Sequence, residues 1–442
     1  MNYGLGVDLG TTFTSAATSS QGHPEMLGLG NRALVAPSVV FATPEGRLLT
    51  GDSAARRAAD EPHRAASEYK RRLGDPTPLV LGDAPFAPAI LMAATLRSAV
   101  DAAVQAHGSP PEVIVLSRPA VWGPYRQEQF DEVPRLAGLS DVRMIDEPVA
   151  AAAHYVSGRS GSDGEIVAVY DLGGGTFDTA VLQARNDELH ILGHPEGVEW
   201  LGGCDLDEAV LKFVDRQLKG AISSIDPRDQ EQATALFRLR QECILAKEAL
   251  SFDEETVIPV FVAGIQENVR ITRAQFEDMA RPLVVSTVEA LQRAIRSAEV
   301  EPADLTAILL VGGSSRIPLV TAMVQDALNR PTVVGAHPKH VVALGAARLA
   351  DRLMTPDTSE PTRARGRIVA KPAVPAARST PARPSVQHTT RPVRWVVLGL
   401  LIAIAVLSAA AVIGTYYGSR HKVGLGPARF TSSKPVSLQP FW

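Results

Sequence analysis

One motif occurs twice in this chain and constrains its fold more than any other feature. The stretch 170-YDLGGGTFDTAV-181 places three glycines between two aspartates, with apolar residues on both sides. The stretch 5-LGVDLGTTFTSAA-17 has the same design, with an apolar run, Asp-Leu-Gly, small residues and a second apolar run. Asp and Gly are ordinary hairpin residues, so each stretch alone could be a structural turn. Two copies about 160 residues apart instead predict a duplicated domain whose glycine turns face each other across one cleft.

Turns of this composition are suited to phosphate. Without Cβ, the backbone can approach a ligand closely, and successive N–H groups can point at one anion. An aspartate at a strand end can hold Mg²⁺ directly or through water, because that ion prefers oxygen ligands. The paired motifs therefore favour a phosphate and Mg²⁺ site over two structural hairpins.

Apolar, β-rich runs alternate with helical patterns along the first 355 residues. The predicted strands are 4–10, 113–117, 166–173 and 307–313, and the two longest predicted helices are 89–108 and 230–251. Strands that alternate with helices indicate an α/β fold.

The 442-residue chain has a net charge of −4, but the charge is unevenly distributed. From Pro361 to the end there are 12 Lys or Arg and no Asp or Glu, which leaves 32 basic and 48 acidic side chains before that point. Nucleic-acid binding requires clustered positive charge, so the acidic part is not expected to bind nucleic acid. Cys204 and Cys243 do not suggest a disulfide framework in so long a chain; we expect structural thiols in a reducing compartment.

Residues 356–394 are rich in Pro, Ala, Arg and Thr. Such a segment cannot bury much apolar surface, so an extended, self-repelling linker is predicted. Its positive charge could alternatively hold it against anionic lipid headgroups.

An uncharged hydrophobic stretch follows the predicted linker, from Trp395 to Ser419. As a helix, Val396–Tyr417 would span about 33 Å, enough for a hydrocarbon core of roughly 30 Å. We therefore predict one transmembrane helix over 395–418 and a short tail over 419–442.

The orientation of this predicted helix is not decided by charge. Lys and Arg within 20 residues of it number four on each side, so the positive-inside rule gives no preference. The N-terminal sequence MNYGLGVDLG lacks the basic and apolar regions of a signal peptide. We therefore expect a single-pass protein of the inner cell membrane, with its large N-terminal part in the cytoplasm and its tail outside.

The paired glycine motifs closely resemble the two phosphate motifs of the nucleotide-binding domain of the heat-shock-70 (DnaK-like) chaperone family. Further segments match that domain in order along the chain. They are 70-KRRLG-74 (similar to the lysine loop), 143-RMIDEPVAAAAHY-155 (first connecting helix), 201-LGGCDLD-207 (second glycine turn), 310-LVGGSSRIPLV-320 (adenosine motif) and 338-PKHVVALGAA-347 (second connecting helix). The resemblance implies an α/β, actin-like ATPase fold, a duplicated ribonuclease-H-like domain over 1–355, with lobe I at about 1–162 and lobe II at about 163–355.

The resemblance also implies the site residues of an ATP/ADP site with Mg²⁺. Asp8 and Asp171 would orient the metal ion through its waters, and Lys70 would approach the γ-phosphate and the attacking water. The implied catalytic residues are Lys70, Glu147, Asp171, Thr176 and Asp178. The implied nucleotide-binding residues are Gly10, Thr11, Thr12, Gly173, Gly174, Gly175, Gly202, Gly203, Lys247, Ser251, Gly312, Gly313, Ser314 and Arg316.

The departures from the family pattern lie at the adenosine side of the site. The family usually has a glutamate where Ile244 stands, and an arginine that stacks on adenine where Glu248 stands. An expected acidic pair is replaced by Lys339 and His340. These changes predict weaker affinity or selectivity for the base.

The sequence thus predicts a membrane-anchored ATP-binding protein that hydrolyses ATP weakly to drive lobe closure, in a regulatory or chaperone-related role. We expect an unknown protein partner to read that closure, and no peptide-binding clamp in residues 361–442. One alternative is a nucleotide-dependent, actin-like scaffold or signalling protein with little turnover. Another is a small-molecule kinase, which shares the fold but is disfavoured by the LGGGTFD motif.

Overall fold

The described part of the chain is a mixed α/β unit with several sheets. The computed structural model describes residues 2–31, 33–157, 163–186, 188–226, 229–262, 264–335 and 337–354. All of them lie in the first of the two units into which the chain divides, Met1–Pro361. The predicted linker, transmembrane helix and tail lie outside the described residues.

The secondary-structure elements are numbered separately for strands and helices. The strands are β1 (Gly4–Leu9), β2 (Phe13–Ser20), β3 (His23–Leu27), β4 (Ala36–Pro37), β5 (Val40–Ala42), β6 (Leu48–Thr50), β7 (Ala65–Ala66), β8 (Leu79–Leu81), β9 (Ala84–Phe86), β10 (Val113–Arg118), β11 (Val142–Asp146), β12 (Ile166–Leu172), β13 (Phe177–Arg185), β14 (Glu188–Val198), β15 (Glu255–Val262), β16 (Ile265–Thr272), β17 (Ala307–Val311) and β18 (Thr332–Val334). The α-helices are α1 (Gly51–Ala58), α2 (Pro88–His107), α3 (Pro124–Leu136), α4 (Glu147–Val156), α5 (Gly203–Gln217), α6 (Gln230–Ala249), α7 (Arg273–Ser297), α8 (Pro318–Leu328) and α9 (Val341–Met354).

Two larger sheets have the same topology. The first has the order β11-β10-β1-β2-β3, with β4 also paired to β2, and the second has the order β14-β13-β12-β17-β18. In each sheet, three consecutive strands form an antiparallel meander and two later strands add in parallel to the first strand of that meander. Smaller sheets, β6-β5-β7, β8-β9 and β15-β16, complete the arrangement. The repeated topology agrees with the duplication that the paired motifs predict.

The elements predicted from sequence are confirmed, with ends shifted by a few residues at most. The four predicted strands are β1, β10, β12 and β17, and the two predicted helices are α2 and α6. Both glycine motifs form turns between antiparallel strands, β1–β2 and β12–β13. In the first hairpin Asp8 lies opposite Ser15, and in the second Asp171 lies opposite Asp178.

Helices α4 and α9 connect the two larger sheets, because each follows the last strand of one sheet and packs on the other. Helix α4 contacts β12, β13 and β14, whereas α9 contacts β1, β2 and β10, and the two helices also contact each other. Close approach here depends on small residues. An ideal Cβ on Gly345 would lie 1.8 Å from the carbonyl oxygen of Ala150, and one on Gly6 would lie 2.1 Å from the backbone nitrogen of Ala347.

Helix α2 is, among the described residues, the one helix long and apolar enough to cross a membrane by length and composition. Its side chains Leu91, Met92 and Leu96 are fully buried and belong to the hydrophobic core beside the first sheet. A core helix explains that composition without a membrane.

Candidate functional site

The two glycine turns face each other at contact distance. Thr11 and Thr12 lie between β1 and β2, and the turn after β12 brings Gly174 and Gly175 against them. An ideal Cβ on Gly174 would lie 1.9 Å from Thr12 Oγ1, and one on Gly175 would lie 2.5 Å from Thr11 Cγ2. Real Cβ contacts are never this short, so a larger residue would force the turns apart.

A third glycine turn closes the same wall of the cleft. The backbone N–H of Gly203 donates to the carbonyl of Gly173 at 3.0 Å, and the N–H of Cys204 donates to that of Gly174 at 2.7 Å. These bonds fix the first turn of α5 beside the Gly173–Gly175 turn. The first N–H groups of α5 are therefore used within the protein, and the helix contributes to this wall through its position and the positive end of its dipole.

A buried lysine lies among four carboxylates at the centre of the cleft. The turn Tyr69–Arg72 carries Lys70, whose Nζ donates to Glu147 Oε1 at 2.7 Å, with both side chains less than a tenth exposed. Ser117 Oγ, on β10, donates to Asp8 Oδ1 at 3.0 Å. Asp171 and Asp178, at the ends of β12 and β13, are also buried.

The three aspartates of this cluster hold protons more tightly than usual. Burial, followed by the charge of Glu147, raises the pKa of Asp8 to about 6 and that of Asp178 to about 8. Burial, then the charge of Glu147 and then that of Asp178 raise the pKa of Asp171 well above its usual range. For Lys70, burial lowers the pKa, but Glu147 and Asp8 outweigh it and the net direction is upward. The cluster therefore favours a bound cation, because positive charge offsets both burial and mutual repulsion.

The donor set fits a hydrated Mg²⁺. Asp178 Oδ1 is buried without a hydrogen-bond partner, so this corner of the site has an oxygen available to water or metal. Within the described ranges no group of three or more His, Cys, Asp or Glu is arranged to hold a metal ion directly. Carboxylates that reach the ion through water molecules suit Mg²⁺, which usually keeps several of its waters.

The opposite end of the cleft is formed by the turn after β17 and by α6. Gly312 has φ 82° and its Cβ would lie 2.3 Å from the carbonyl oxygen of Leu172, so glycine is required there. Ser314 Oγ donates to the carbonyl of Gly173 at 3.1 Å, which joins this turn to the phosphate turn. On α6, Lys247 Nζ contacts Asp207 Oδ1 at 2.7 Å.

Most of the predicted site residues line one cavity. These are Asp8, Gly10, Thr11, Thr12, Lys70, Glu147, Asp171, Gly173, Gly174, Thr176, Gly203, Lys247, Ser251, Gly312, Gly313 and Ser314. Four predicted residues, Gly175, Asp178, Gly202 and Arg316, lie outside its lining. Gly175 and Gly202 belong to the contacting turns, and the guanidinium of Arg316 lies 5.9 Å from the ring centre of Phe252.

The cavity has further lining residues to which the sequence reasoning gave no binding role. They are Phe13, Asp207, Ile244, Glu248, Val311, Ile317, Pro338, Lys339 and Val342. Three of them, Ile244, Glu248 and Lys339, are departures from the family pattern. Phe13, Asp207 and Ile317 directly follow or belong to the quoted motifs, and that adjacency was the available signal.

Charged contacts also join the lysine turn and α3 to the start of α5 and the residues just before it. Arg71 donates to both carboxylate oxygens of Asp205 at 3.1 Å, and its guanidinium lies 4.9 Å from the ring centre of Trp200. Arg126 forms an ion pair with Glu199 at 3.1 Å. Arg71 also donates to Glu68 Oε2 at 3.1 Å, so its guanidinium links a carboxylate near its own loop to one across the cleft.

Comparison with known proteins shows which family the chain resembles. Residues 77–360 match the profile of the family described as Hsp70 protein. The chain is 32% identical over 351 residues to the "Chaperone protein DnaK" of Thermotoga petrophila, covering 78% of this chain and 58% of that protein. It is 31% identical over 372 residues to the "Chaperone protein HscA homolog" of Acidithiobacillus ferrooxidans, covering 79% of this chain and 58% of that protein. The match thus spans less than two thirds of the length of either relative.

Proposed function

The chain belongs to the Hsp70 family, and on that premise we propose that it binds ATP with Mg²⁺ and hydrolyses it slowly between two closing lobes. The observation that carries this proposal is the pair of glycine turns in contact beside the Lys70–Glu147 pair. The shared topology of the two larger sheets supports an actin-like, duplicated ribonuclease-H-like fold with lobes at about 1–162 and 163–355.

In the proposed mechanism, backbone N–H groups of the glycine turns hold the β- and γ-phosphates. Asp8 and Asp171 would hold hydrated Mg²⁺, which when bound neutralises phosphate charge. Lys70 places positive charge beside the transferred phosphoryl group, and its hydrogen bond to Glu147 fixes the direction of the ammonium. Thr176 and Asp178 orient the attacking water.

The first experiment is single-turnover ATP hydrolysis by the purified full-length chain with Mg²⁺. We expect Lys70→Ala to lower the hydrolysis rate constant about 10²- to 10³-fold, because a preorganised charge at the reacting group is lost. The matched control is Arg72→Ala, since Arg72 is a neighbouring cation that pairs with Asp75 at the surface. An equal rate in the wild type and Lys70→Ala would refute the proposed role of Lys70.

A second candidate function is a nucleotide-dependent scaffold with little turnover. The observation that favours it is the altered adenosine end, where Ile244, Glu248 and Lys339 line the cavity. Tight ATP binding without hydrolysis, together with ATP-dependent self-association in analytical ultracentrifugation, would support the scaffold over the ATPase.

We further propose that residues 395–418 anchor the protein in the inner membrane and that an unidentified protein partner reads lobe closure there. In this proposal the predicted linker and membrane helix transmit lobe closure to that partner, and residues 361–442 supply no peptide-binding clamp. Their lack of Asp and Glu and the uncharged stretch from Trp395 to Ser419 support the anchor.

Carbonate extraction of membranes tests the anchor. The full-length chain should stay in the pellet, whereas a chain ending at Arg394 should move to the supernatant. Protease added outside sealed spheroplasts should remove only an epitope placed after Ser419. A full-length chain released by carbonate would contradict the anchor, and an epitope protected from protease would contradict the orientation.

A further inference from the structure

Two of the unexpected cavity residues form an ion pair with each other. Lys339, just before α9, lies with its Nζ 3.5 Å from Glu248 Oε1 on α6. The sequence resemblance implied opposite charges at both places, an arginine on the helix and an acid before α9. The pair therefore has its charges exchanged relative to the expected pattern, which keeps attraction between the same two elements.

The side chain of Lys339 crosses the cavity rather than lining one wall. Its Cε lies 3.0 Å from an ideal Cβ position on Gly313, so the stem packs on the turn after β17. Its Nζ lies 3.8 Å from the ring centre of Phe13, a cation–π distance, at the start of β2. The side chain thus contacts elements on three sides: its ammonium lies near β2 and α6, and its stem packs on the turn after β17.

The space left beside this side chain is small. The cavity encloses about 130 Å³, whereas cavities that hold ligands of drug size measure about 300–1,000 Å³. Lys339 lines the same cavity as the glycine turns, Ile244 and Ser251. Its side chain, held between Phe13, Gly313 and Glu248, therefore takes up space at the nucleoside end of that cavity.

We propose that the Lys339–Glu248 ion pair is a gate at the nucleoside end of the site and controls how fast nucleotide enters and leaves. This inference rests on the proposed nucleotide binding. The pair is half-exposed, with side-chain exposures of 31% and 50%, so water competes for both charges and the pair opens readily. Lys247 and Arg316 add positive charge nearby, which opposes the ammonium while Glu248 attracts it.

The test is stopped-flow fluorescence with N-methylanthraniloyl-ADP and Mg²⁺ on the full-length chain. Glu248→Lys and Lys339→Glu each break the pair, and the double variant restores it with the charges reversed. We expect each single variant to raise both the association and the dissociation rate constant about three- to fivefold. The double variant should return both constants to within about twofold of wild type.

Asp253→Lys is the matched control, because it makes the same charge change at an exposed position just beyond α6. All variants should first show wild-type thermal melting. Wild-type rate constants in both single variants would overturn the gate. The gate would also be overturned if Lys339→Glu and the double variant raised only the dissociation rate constant and left the association rate constant unchanged. Lys339 would then be a direct nucleotide ligand.

The failure of this inference is distinguishable from the failure of the proposed function. Normal nucleotide binding with unaltered exchange in the single variants overturns the gate alone. No binding by the wild type or any variant overturns nucleotide binding and the gate together. Binding by Lys339→Glu but not by the wild type would support both, with the wild-type gate closed.

Discussion

At the scale of single residues, the site is governed by how much negative charge it buries. Asp8, Asp171, Asp178 and Glu147 lie together, and Lys70 is the cation placed among them. Burial disfavours ionised carboxylates, and their mutual repulsion adds to that effect. Under the proposed function, bound Mg²⁺ would offset this repulsion, and without it the buried carboxylates lower the stability of the fold.

Asp178 provides the first prediction, which concerns pH. Its pKa is about 8 in the folded chain, against an ordinary value of about 4. Between about pH 4 and about pH 8, the folded chain therefore keeps a proton on Asp178 that the unfolded chain has released. The stability that this group contributes is therefore full below about pH 4 and is lost as pH rises through about 8. Without nucleotide and Mg²⁺, Asp178→Asn should show a shallower fall of melting temperature between pH 5 and 8 than wild type, by circular dichroism.

The control is Asp83→Asn, which removes an exposed carboxylate far from the cluster. It should retain the wild-type slope. Identical slopes for wild type and Asp178→Asn would show that Asp178 does not titrate in this range.

At the scale of secondary-structure elements, the packing of α4 on α9 depends on a single glycine. A Cβ at position 345 would overlap the carbonyl of Ala150 at 1.8 Å, and backbone cannot move aside as a flexible side chain can. We expect Gly345→Ala to lower the free energy of unfolding by about 3 kcal/mol, measured by urea denaturation. Gly28→Ala is the control, because nothing lies within 4 Å of its added Cβ. Equal midpoints for the two variants would mean that the helices separate easily.

Some of the secondary-structure elements could be predicted from the sequence and others could not. The hairpins around Asp8 and Asp171 are encoded locally, since strand, turn residues and returning strand are consecutive. Strands β5, β6, β8 and β9 have three residues each and β7 has two, too few for any periodic pattern. The small sheets beside the first larger sheet were therefore not predicted.

The contacts within the site also differ in whether the sequence could predict them. The Lys70–Glu147 contact joins residues 77 apart in sequence, and only the family resemblance placed them in one site. The Arg71–Asp205 contact joins residues 134 apart, and no local pattern indicates it. Likewise, the sequence marked Glu248 and Lys339 as unusual but could not show that they pair, because pairing depends on the fold.

At the scale of the whole molecule, the contacts of Arg71 and Arg126 span the cleft, so they should respond if the proposed lobes move. The ring of Trp200 is 56% exposed and lies against the Arg71 guanidinium. We expect ATP with Mg²⁺ to change Trp200 fluorescence, and Arg71→Ala to remove most of that change, because the cation–π contact and the pair with Asp205 are both lost.

Trp200→Phe identifies the signal, and Arg97→Ala is the control because its pair with Asp101 lies on the surface of α2. Trp200→Phe should remove the part of the change that comes from Trp200 and leave any part from Trp122, whose ring centre lies 5.7 Å from Lys70 Nζ. Arg97→Ala should preserve the whole change. A full wild-type change in Arg71→Ala would show that this contact does not report on the cleft.

The packing of α9 on β1 has a consequence for how the protein is made. Strand β1 is made long before α9, the last described helix, yet the Cβ side of Gly4 and Gly6 packs directly on α9. At about 5–20 residues per second, roughly 20–70 s of translation separate the two elements. Throughout that interval the first sheet lacks one of its two faces, so a nascent chain stalled before Val341 should be cut by protease where the finished protein resists.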